Sequence, residues 1–303
     1  MSATVESVTP AAPSRCVASE LSALSKFRLT SMVAVAAGVG LFMAWKGPWN
    51  AAATLRLVAT VLGTALATAG SSAMNQLLER RPDARMTRTA DRPLAAGRMK
   101  TAHAIRFILP ASVVGIAVQA AAGFLAAGLL TLAWLTYVLV YTPLKRKTPW
   151  AVLVGAVPGA LPILVGWSAS GRPINAQALT LFAIMFVWQV PHFLSIAWRY
   201  RADYERAGFR VAAAGEGAGR RTFLAAIVCC AVLIPTSLLP ALTHLAGHWY
   251  YLAALVAGFA FLAFGLELAR IKSQPADRQL MLASLVYLPV LFLMLMLDKV
   301  SPP

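Results

Sequence analysis

Residues 55–92 read LRLVATVLGTALATAGSSAMNQLLERRPDARMTRTADR, an apolar run that ends abruptly in acids and bases. No charge falls between Arg56 and Glu79, and about 20 apolar residues suffice to cross a bilayer as a helix. The polar end is denser than a loop requires. Asn75, Glu79 and Asp83 are spaced i, i+4, i+8, so on a helix their oxygens share one face. Arg85, Arg88 and Arg92 follow at once. Hard oxygen donors beside guanidinium groups suit a Mg²⁺ ion that carries a diphosphate, the arginines taking phosphate oxygens while the metal keeps waters. The guest implied by this pattern is an activated phosphate ester.

The rest of the chain says where such a site lies. With 59% hydrophobic and 13% charged residues and a mean hydropathy of +0.69, the composition excludes an ordinary soluble domain. Apolar runs predict nine membrane helices near 29–46, 55–78, 103–121, 124–142, 150–169, 176–198, 223–243, 249–269 and 280–298. A net charge of +16 would fit a nucleic-acid binder, but the bases fall in short loops between apolar runs, so no nucleic-acid partner is expected. Residues 1–25 mix Ser, Ala, Pro and Thr without an apolar core. They are expected to form a disordered tail rather than a signal peptide. Cys16, Cys229 and Cys230 have neither metal-ligand nor disulfide spacing and receive no role.

Most of the 27 lysines and arginines lie on one side of the nine predicted spans. They comprise Arg15, Lys26 and Arg28 before the first span, the group from Arg80 to Lys100, Lys145 to Lys147, the arginines from Arg199 to Arg221, and Arg270, Lys272 and Arg278. The opposite side holds Lys46, Arg56, Arg172 and Lys299. The positive-inside rule then puts the N-terminus and the polar loops in the cytoplasm, or in the matrix of a mitochondrion, and the C-terminus outside. Topology explains the bases but not the acids, because unpaired Asn75 and Glu79 at a helix end in lipid are costly.

A second polar segment, WQVPHFLSIAWRYRADYERAG at 188–208, also follows an even-numbered span and again mixes acids with arginines. Between the two lies YTPLKRKTPW at 141–150, where Tyr141, Lys145 and Arg146 close the fourth span on the same face. Taken alone, Lys145 to Lys147 is more often a simple topology signal.

These segments resemble the haem-farnesylating branch of the UbiA family of intramembrane prenyltransferases. The resemblance rests on NQLLERRPDARMTRTADRPL at 75–94, YTPLKRKTPW, GAVPGALPILVGW at 155–167, WQVPHFLSIAWRYRADYERAGF at 188–209 and SLVYLPVLF at 284–292. It runs from about Lys26 to the C-terminus, giving a domain at 26–303. It implies an all-α polytopic membrane protein in the bacterial cytoplasmic (inner) membrane, with nine transmembrane helices around a central cavity and a cytoplasmic cap. It further implies Mg²⁺ held by Asn75, Glu79, Asp83 and Asp203, with Arg88, Arg92, Lys145 and Arg146 against the diphosphate and Tyr204 beside them. The implied substrates are farnesyl diphosphate and haem b, in contact with membrane lipid, and a haem A synthase would act downstream. Of the four histidines, His192 in the PHF element stands nearest the polar segments and is the candidate haem contact, the competing reading being a buried histidine bonded to a carbonyl freed by Pro191. His244 and His248 fall near the outer ends of the seventh and eighth spans, and His103 reads as a surface residue.

Two departures from the family pattern bear on the site. Glu79 stands where Asp is more usual, and Pro82 is expected to end the helix before Asp83. Asp203 also lacks an acid four residues before it, which weakens a second metal site. An aromatic quinone precursor as acceptor keeps the same donor site but leaves the PHF and DYxxAG elements without a reason. A transporter remains the reading from a different class, although transporters gather their polar groups near the midplane and this chain gathers them at one face. Trp45, Trp49 and Trp249 are expected as interfacial anchors, Gly155, Gly159 and Gly166 as points of close helix packing, and Met294 and Met296 as lipid-facing or core residues.

Overall fold

The structure is a computed structural model that describes residues 16–210, 218–271 and 273–300. The first fifteen residues of the expected tail, with Arg15, and the topology residue Lys272 lie outside the described residues. The chain runs α1 (Val17–Leu24), α2 (Phe27–Ala44), α3 (Ala51–Asp83), α4 (Thr101–Ala122), α5 (Phe124–Leu135), a π-helical segment Thr136–Tyr141 and α6 (Thr142–Leu144). It continues through α7 (Ala151–Ala169), α8 (Ala176–Arg199), α9 (Arg201–Arg206), α10 (Ala218–Leu242), α11 (His248–Ile271) and α12 (Gln274–Leu297). Among the described residues, nine of these helical stretches are long and apolar enough to cross a membrane, with α5 to α6 acting as one span. The all-α, nine-span reading therefore holds.

Small residues set the packing. α7 is the most enclosed span, with 72% of its apolar window buried, and it packs on α2, α5 and α8. A Cβ at Gly166 would strike the Ala37 carbonyl of α2, and one at Gly40 would strike the Ile163 carbonyl of α7. Gly159 meets the Gln189 side chain in the same way, and Gly155 meets the Tyr141 ring. The glycines of α7 are thus contact points between helices, as in membrane bundles held by backbone approach. At the far end of the bundle, Lys299 Nζ donates to the carbonyls of Phe42 at 2.7 Å and Trp45 at 2.8 Å, capping α2. That contact makes the first and last spans neighbours.

Two expectations need correction. Residues 17–24 fall in the expected disordered tail, yet they form α1, and Leu24 is fully buried among Ala73, Leu77, Ala104 and Ile108. So short a helix is not stable alone. Its partners hold it: Gln76 Nε2 donates to the Ala23 and Leu24 carbonyls at 2.8 Å each, and Arg98 pairs with Glu20 at 2.8 Å. Burying Leu24 adds about 1.5–3 kcal/mol. The second correction concerns Pro82, expected to stop α3 before Asp83. The helix runs through Asp83 with Pro82 inside it. A proline in the last turn removes one hydrogen bond, to the Leu78 carbonyl, and its fixed φ is compatible with helix. Asp83 therefore belongs to the same helix as Asn75 and Glu79.

Candidate active site

The last turns of α3 bury Asn75, Glu79 and Asp83 at 1%, 3% and 3% exposure. Two carboxylates near a helix C-terminus face the negative end of the helix dipole, so cations must offset both. Three arrive from separate elements. Lys26, between α1 and α2, takes a left-handed φ of 50° and places Nζ 2.8 Å from Asn75 Oδ1. Lys145, just past α6, donates to Glu79 Oε2 at 2.9 Å, with its Nζ 2.7 Å from Oε1. Arg92 Nη1 lies 2.6 Å from Asp83 Oδ2.

Local structure explains each placement. The π-helical turn at Thr136–Tyr141 brings two tyrosines to the cluster: the Tyr137 hydroxyl is 3.4 Å from Lys26 Nζ, and Lys145 Nζ sits 4.9 Å above the Tyr141 ring. Such turns recur at functional sites. Asn75 Nδ2 donates to Thr142 Oγ1 at 3.1 Å, which fixes the amide so that Oδ1 faces the cations. Arg92 reaches Asp83 because the segment after α3 folds back through consecutive turns, with Thr89 Oγ1 donating to the Asp83 carbonyl at 2.9 Å. Met86 anchors that segment against Ala207 and Phe209.

The second polar segment joins from above. Asp203 Oδ2 accepts from the Arg88 N–H at 3.2 Å, and its other oxygen pairs with Arg206. Arg88 Nη2 donates to the Tyr204 hydroxyl at 3.2 Å. The Arg210 N–H bonds the Lys145 carbonyl at 3.1 Å, and the Phe209 ring lies 5.7 Å from Lys145 Nζ. Three segments far apart in sequence therefore meet at one end of the bundle.

The electrostatics follow the pairing. Burial opposes the charge on Lys145, but the Glu79 carboxylate together with Tyr141 and Tyr137 outweighs it and holds the ammonium above its usual range. Burial pushes Lys26 down to about 7, with Arg92 and Lys145 acting in the same direction. Burial would raise the Asp203 carboxyl, yet the Arg88 N–H and the Arg206 guanidinium hold it below the usual carboxylate range.

Of the residues expected at the site, the structure gathers Asn75, Glu79, Asp83, Arg92 and Lys145, and sets Arg88, Asp203 and Tyr204 beside them. Arg146 and Arg85 are exposed, and neither makes an ion pair among the described residues. His192 is half-buried on α8; its Nδ1 lies 2.7 Å from Ser284 Oγ of α12, and its ring stacks on Trp188 at 5.5 Å. Its partner is thus a hydroxyl, not a carbonyl freed by Pro191. His103, His244 and His248 are exposed. Sequence reasoning missed Lys26, Tyr137 and Thr142 as members of the cluster. The i, i+4 pair Tyr137 and Tyr141 at a span end was the available signal for one of them.

Among the described residues, no three His, Cys, Asp or Glu side chains converge on one point. A cation at this face would find two carboxylates and the Asn75 amide oxygen, with Glu79 Oε1 buried and lacking an aligned donor. That donor set fits Mg²⁺, which binds through one or two carboxylates plus ligand phosphate oxygens instead of a full protein cage.

Comparison with known proteins gives the family and the fold. Residues 31–294 match the UbiA prenyltransferase family. The chain is 36% identical over 283 residues to the protoheme IX farnesyltransferase of Solibacter usitatus, covering 91% of this chain and 97% of the relative. It is 41% identical over 286 residues to the protein of that name from Myxococcus xanthus, covering 94% and 96%. Among solved structures, a digeranylgeranylglyceryl phosphate synthase superposes with a TM-score of 0.75 at 13% identity, over 93% of this chain and 98% of the other. A UbiA homolog from Archaeoglobus fulgidus bound to GPP and Mg²⁺ gives 0.66 at 15% identity, over 91% and 99%. The chain belongs to the UbiA prenyltransferase family.

Proposed function

We propose that this prenyltransferase joins the farnesyl group of farnesyl diphosphate to a vinyl group of haem b, with addition of water, to give haem O and diphosphate. The observation that carries the reading is the one-to-one pairing of Asn75, Glu79 and Asp83 with Lys26, Lys145 and Arg92 at the polar end of an otherwise apolar bundle. The names of the curated relatives supply the acceptor. Asn75, Glu79 and Asp83 would hold Mg²⁺, which when bound would neutralise diphosphate charge and favour its departure. Lys26, Lys145 and Arg92 then have phosphate oxygens as alternative partners, while Arg88, Asp203 and Tyr204 close the site from the α9 side.

The chain's own groups favour ionisation. Breaking the allylic C–O bond leaves negative charge on the departing diphosphate, and fixed cations in a water-poor site stabilise that charge better than bulk water does. The allylic carbon so exposed is attacked by the vinyl carbon of haem, forming the C–C bond. Water adds to the resulting cation next to the porphyrin and loses its proton, which leaves a hydroxyethylfarnesyl group. Tyr137 and Tyr141 face the cluster with aromatic surface.

The protein lies in the bacterial inner membrane with its N-terminus and the α3, α6 and α9 segments cytoplasmic, where they cap the site, and with its C-terminus outside. Its product suits a haem A synthase as the next enzyme. The test is to incubate purified protein in detergent with haem b, farnesyl diphosphate and Mg²⁺, with and without EDTA, and to weigh the extracted haem by mass spectrometry. A metal-dependent gain of one farnesyl group plus water is expected. Unmodified haem from protein that binds farnesyl diphosphate would move the acceptor to the aromatic quinone precursors.

A further inference from the structure

α3 and α4 cross closely through small residues. A Cβ at Gly70 would strike Ser112 Oγ, one at Gly115 the Ala67 backbone nitrogen, and one at Gly63 the Gly115 carbonyl. Yet three polar side chains are fully buried there: Thr60 and Thr64 of α3 and Gln119 of α4 are each 0% exposed. Antiparallel packing brings them together. From Gly70 back toward the start of α3, the helix meets Ser112, then Gly115, and the Gln119 amide finally lies at Gly63, with Oε1 3.2 Å from where a Cβ would stand. Thr60, Gly63, Thr64 and Ala67 share one face of α3 by their spacing, so the two threonines flank the position that Gln119 meets. Thr60 Oγ1, Thr64 Oγ1, Gln119 Oε1 and Gln119 Nε2 make no hydrogen bond among the described residues. Other threonines of the spans bond their own helix: Thr131, Thr136, Thr236 and Thr243 donate to the carbonyl four residues back at 2.6–2.8 Å. Thr60 and Thr64 leave that option unused. A buried hydroxyl or amide without a partner is costly, above all within lipid, where bulk water cannot reach it. Only three other buried side-chain atoms lack a partner among the described residues, one each on Gln76, Glu79 and Asp277. Four around a single glycine therefore mark a site.

We infer that Thr60, Thr64 and Gln119 form a binding site for internal water between α3 and α4. The chemistry of the set selects water over a cation. Three neutral oxygens alone would suit a sodium ion, but the Gln119 amide stands with them, and whichever way it is turned it presents a donor as well as an acceptor. Water meets both needs, since a buried water molecule makes about three hydrogen bonds and can give and take them together. The threonine hydroxyls can likewise donate or accept. Thr64 precedes Asn75 by eleven residues, about 16 Å along α3, so the site is separate from the donor cluster and does not depend on the identity of the acceptor. Its place in the fold gives it a task. α3 carries Asn75, Glu79 and Asp83 at its far end, and water bonded to both helices ties the N-terminal half of α3 to α4 where their side chains do not bond each other.

The test has a direct arm and a thermodynamic one. In the purified full-length protein in detergent, prepared with isotopically labelled glutamine, the side-chain amide protons of Gln119 are assigned by their loss in Gln119→Leu. Rotating-frame NMR, which separates cross-relaxation from hydrogen exchange, should show magnetisation passing to them from water; no transfer would overturn the site. Melting temperatures then distinguish shared water from dry packing. Thr60→Val, Thr64→Val and Gln119→Leu nearly keep volume and remove the hydrogen-bonding groups. Each alone should lower the melting temperature by about 2 °C or more, because the water and the groups left behind lose a partner. The triple variant, with no polar group left to satisfy, should melt close to the unaltered protein. Single variants that melt higher than the unaltered protein, or three shifts that simply add in the triple variant, would overturn the proposal. If a variant fails to fold, the transfer from water in the unaltered protein decides.

Discussion

Asp83 is the residue at which helical phase and chemistry meet most directly. Pro82 suggests a broken helix in the sequence, but the fold carries α3 through it, so Asp83 keeps the face set by Asn75 and Glu79. Asp83→Asn removes the charge and leaves Arg92 with a neutral partner. Haem O formation should fall by at least about a hundredfold, on the scale of losing one preorganised electrostatic contact, while the amount of protein in the membrane stays the same. Retained activity would show that Asp83 is not among the metal-holding groups. Lys26 was hidden for a physical reason: one lysine before an apolar run looks like any topology charge, and only the αL turn between α1 and α2 sends it to Asn75. Lys26→Met should raise the KM for farnesyl diphosphate by roughly tenfold with little change in that for haem; an unchanged donor KM would return Lys26 to a topological role.

Among elements, the nine spans were legible because apolar length alone selects a membrane helix. The boundaries moved where polar residues continue a helix, as α3 does from the expected 55–78 out to Ala51–Asp83. α1 was not legible, since the eight residues VASELSAL are too few to hold a helix alone and depend on Gln76 and Arg98, far along the chain. Gln76→Ala should therefore loosen α1 specifically. Deuterium exchange of the amides in Val17–Leu24 should quicken by at least about tenfold, as expected for removing hydrogen bonds to the Ala23 and Leu24 carbonyls, and unchanged protection would mean that Leu24 burial suffices. The α2–α7 contact makes a different demand. Gly166→Leu forces a side chain into the Ala37 carbonyl, and the cost of about 1–3 kcal/mol should appear as a lower melting temperature in detergent. A melting temperature equal to that of the unaltered protein would refute the close approach.

For the whole molecule, the decisive feature is the balance of charge at one end of an apolar bundle. The sequence displayed this end as three separate polar segments; their meeting depends on which helices neighbour one another, which no local pattern records. Around the α3 face the structure sets two carboxylates, Glu79 and Asp83, against three cations, Lys26, Lys145 and Arg92. Mg²⁺ alone would enlarge the positive excess and must displace Lys145 and Arg92 from their carboxylates. Diphosphate alone would draw the cations away and leave two buried carboxylates unpaired, which is strongly unfavourable. Together they would exchange every partner at once: the carboxylates would take the metal, the cations would take phosphate oxygens, and the cluster would stay near neutral. Binding of the two should therefore be synergistic. In a thermal-shift titration in detergent, inorganic diphosphate with Mg²⁺ should raise the melting temperature by more than the sum of the shifts from each alone, because a ligand stabilises in proportion to the logarithm of its saturation ratio and each partner tightens the other. Asp83→Asn should abolish the excess. Strictly additive shifts in the unaltered protein would mean that metal and diphosphate meet different residues.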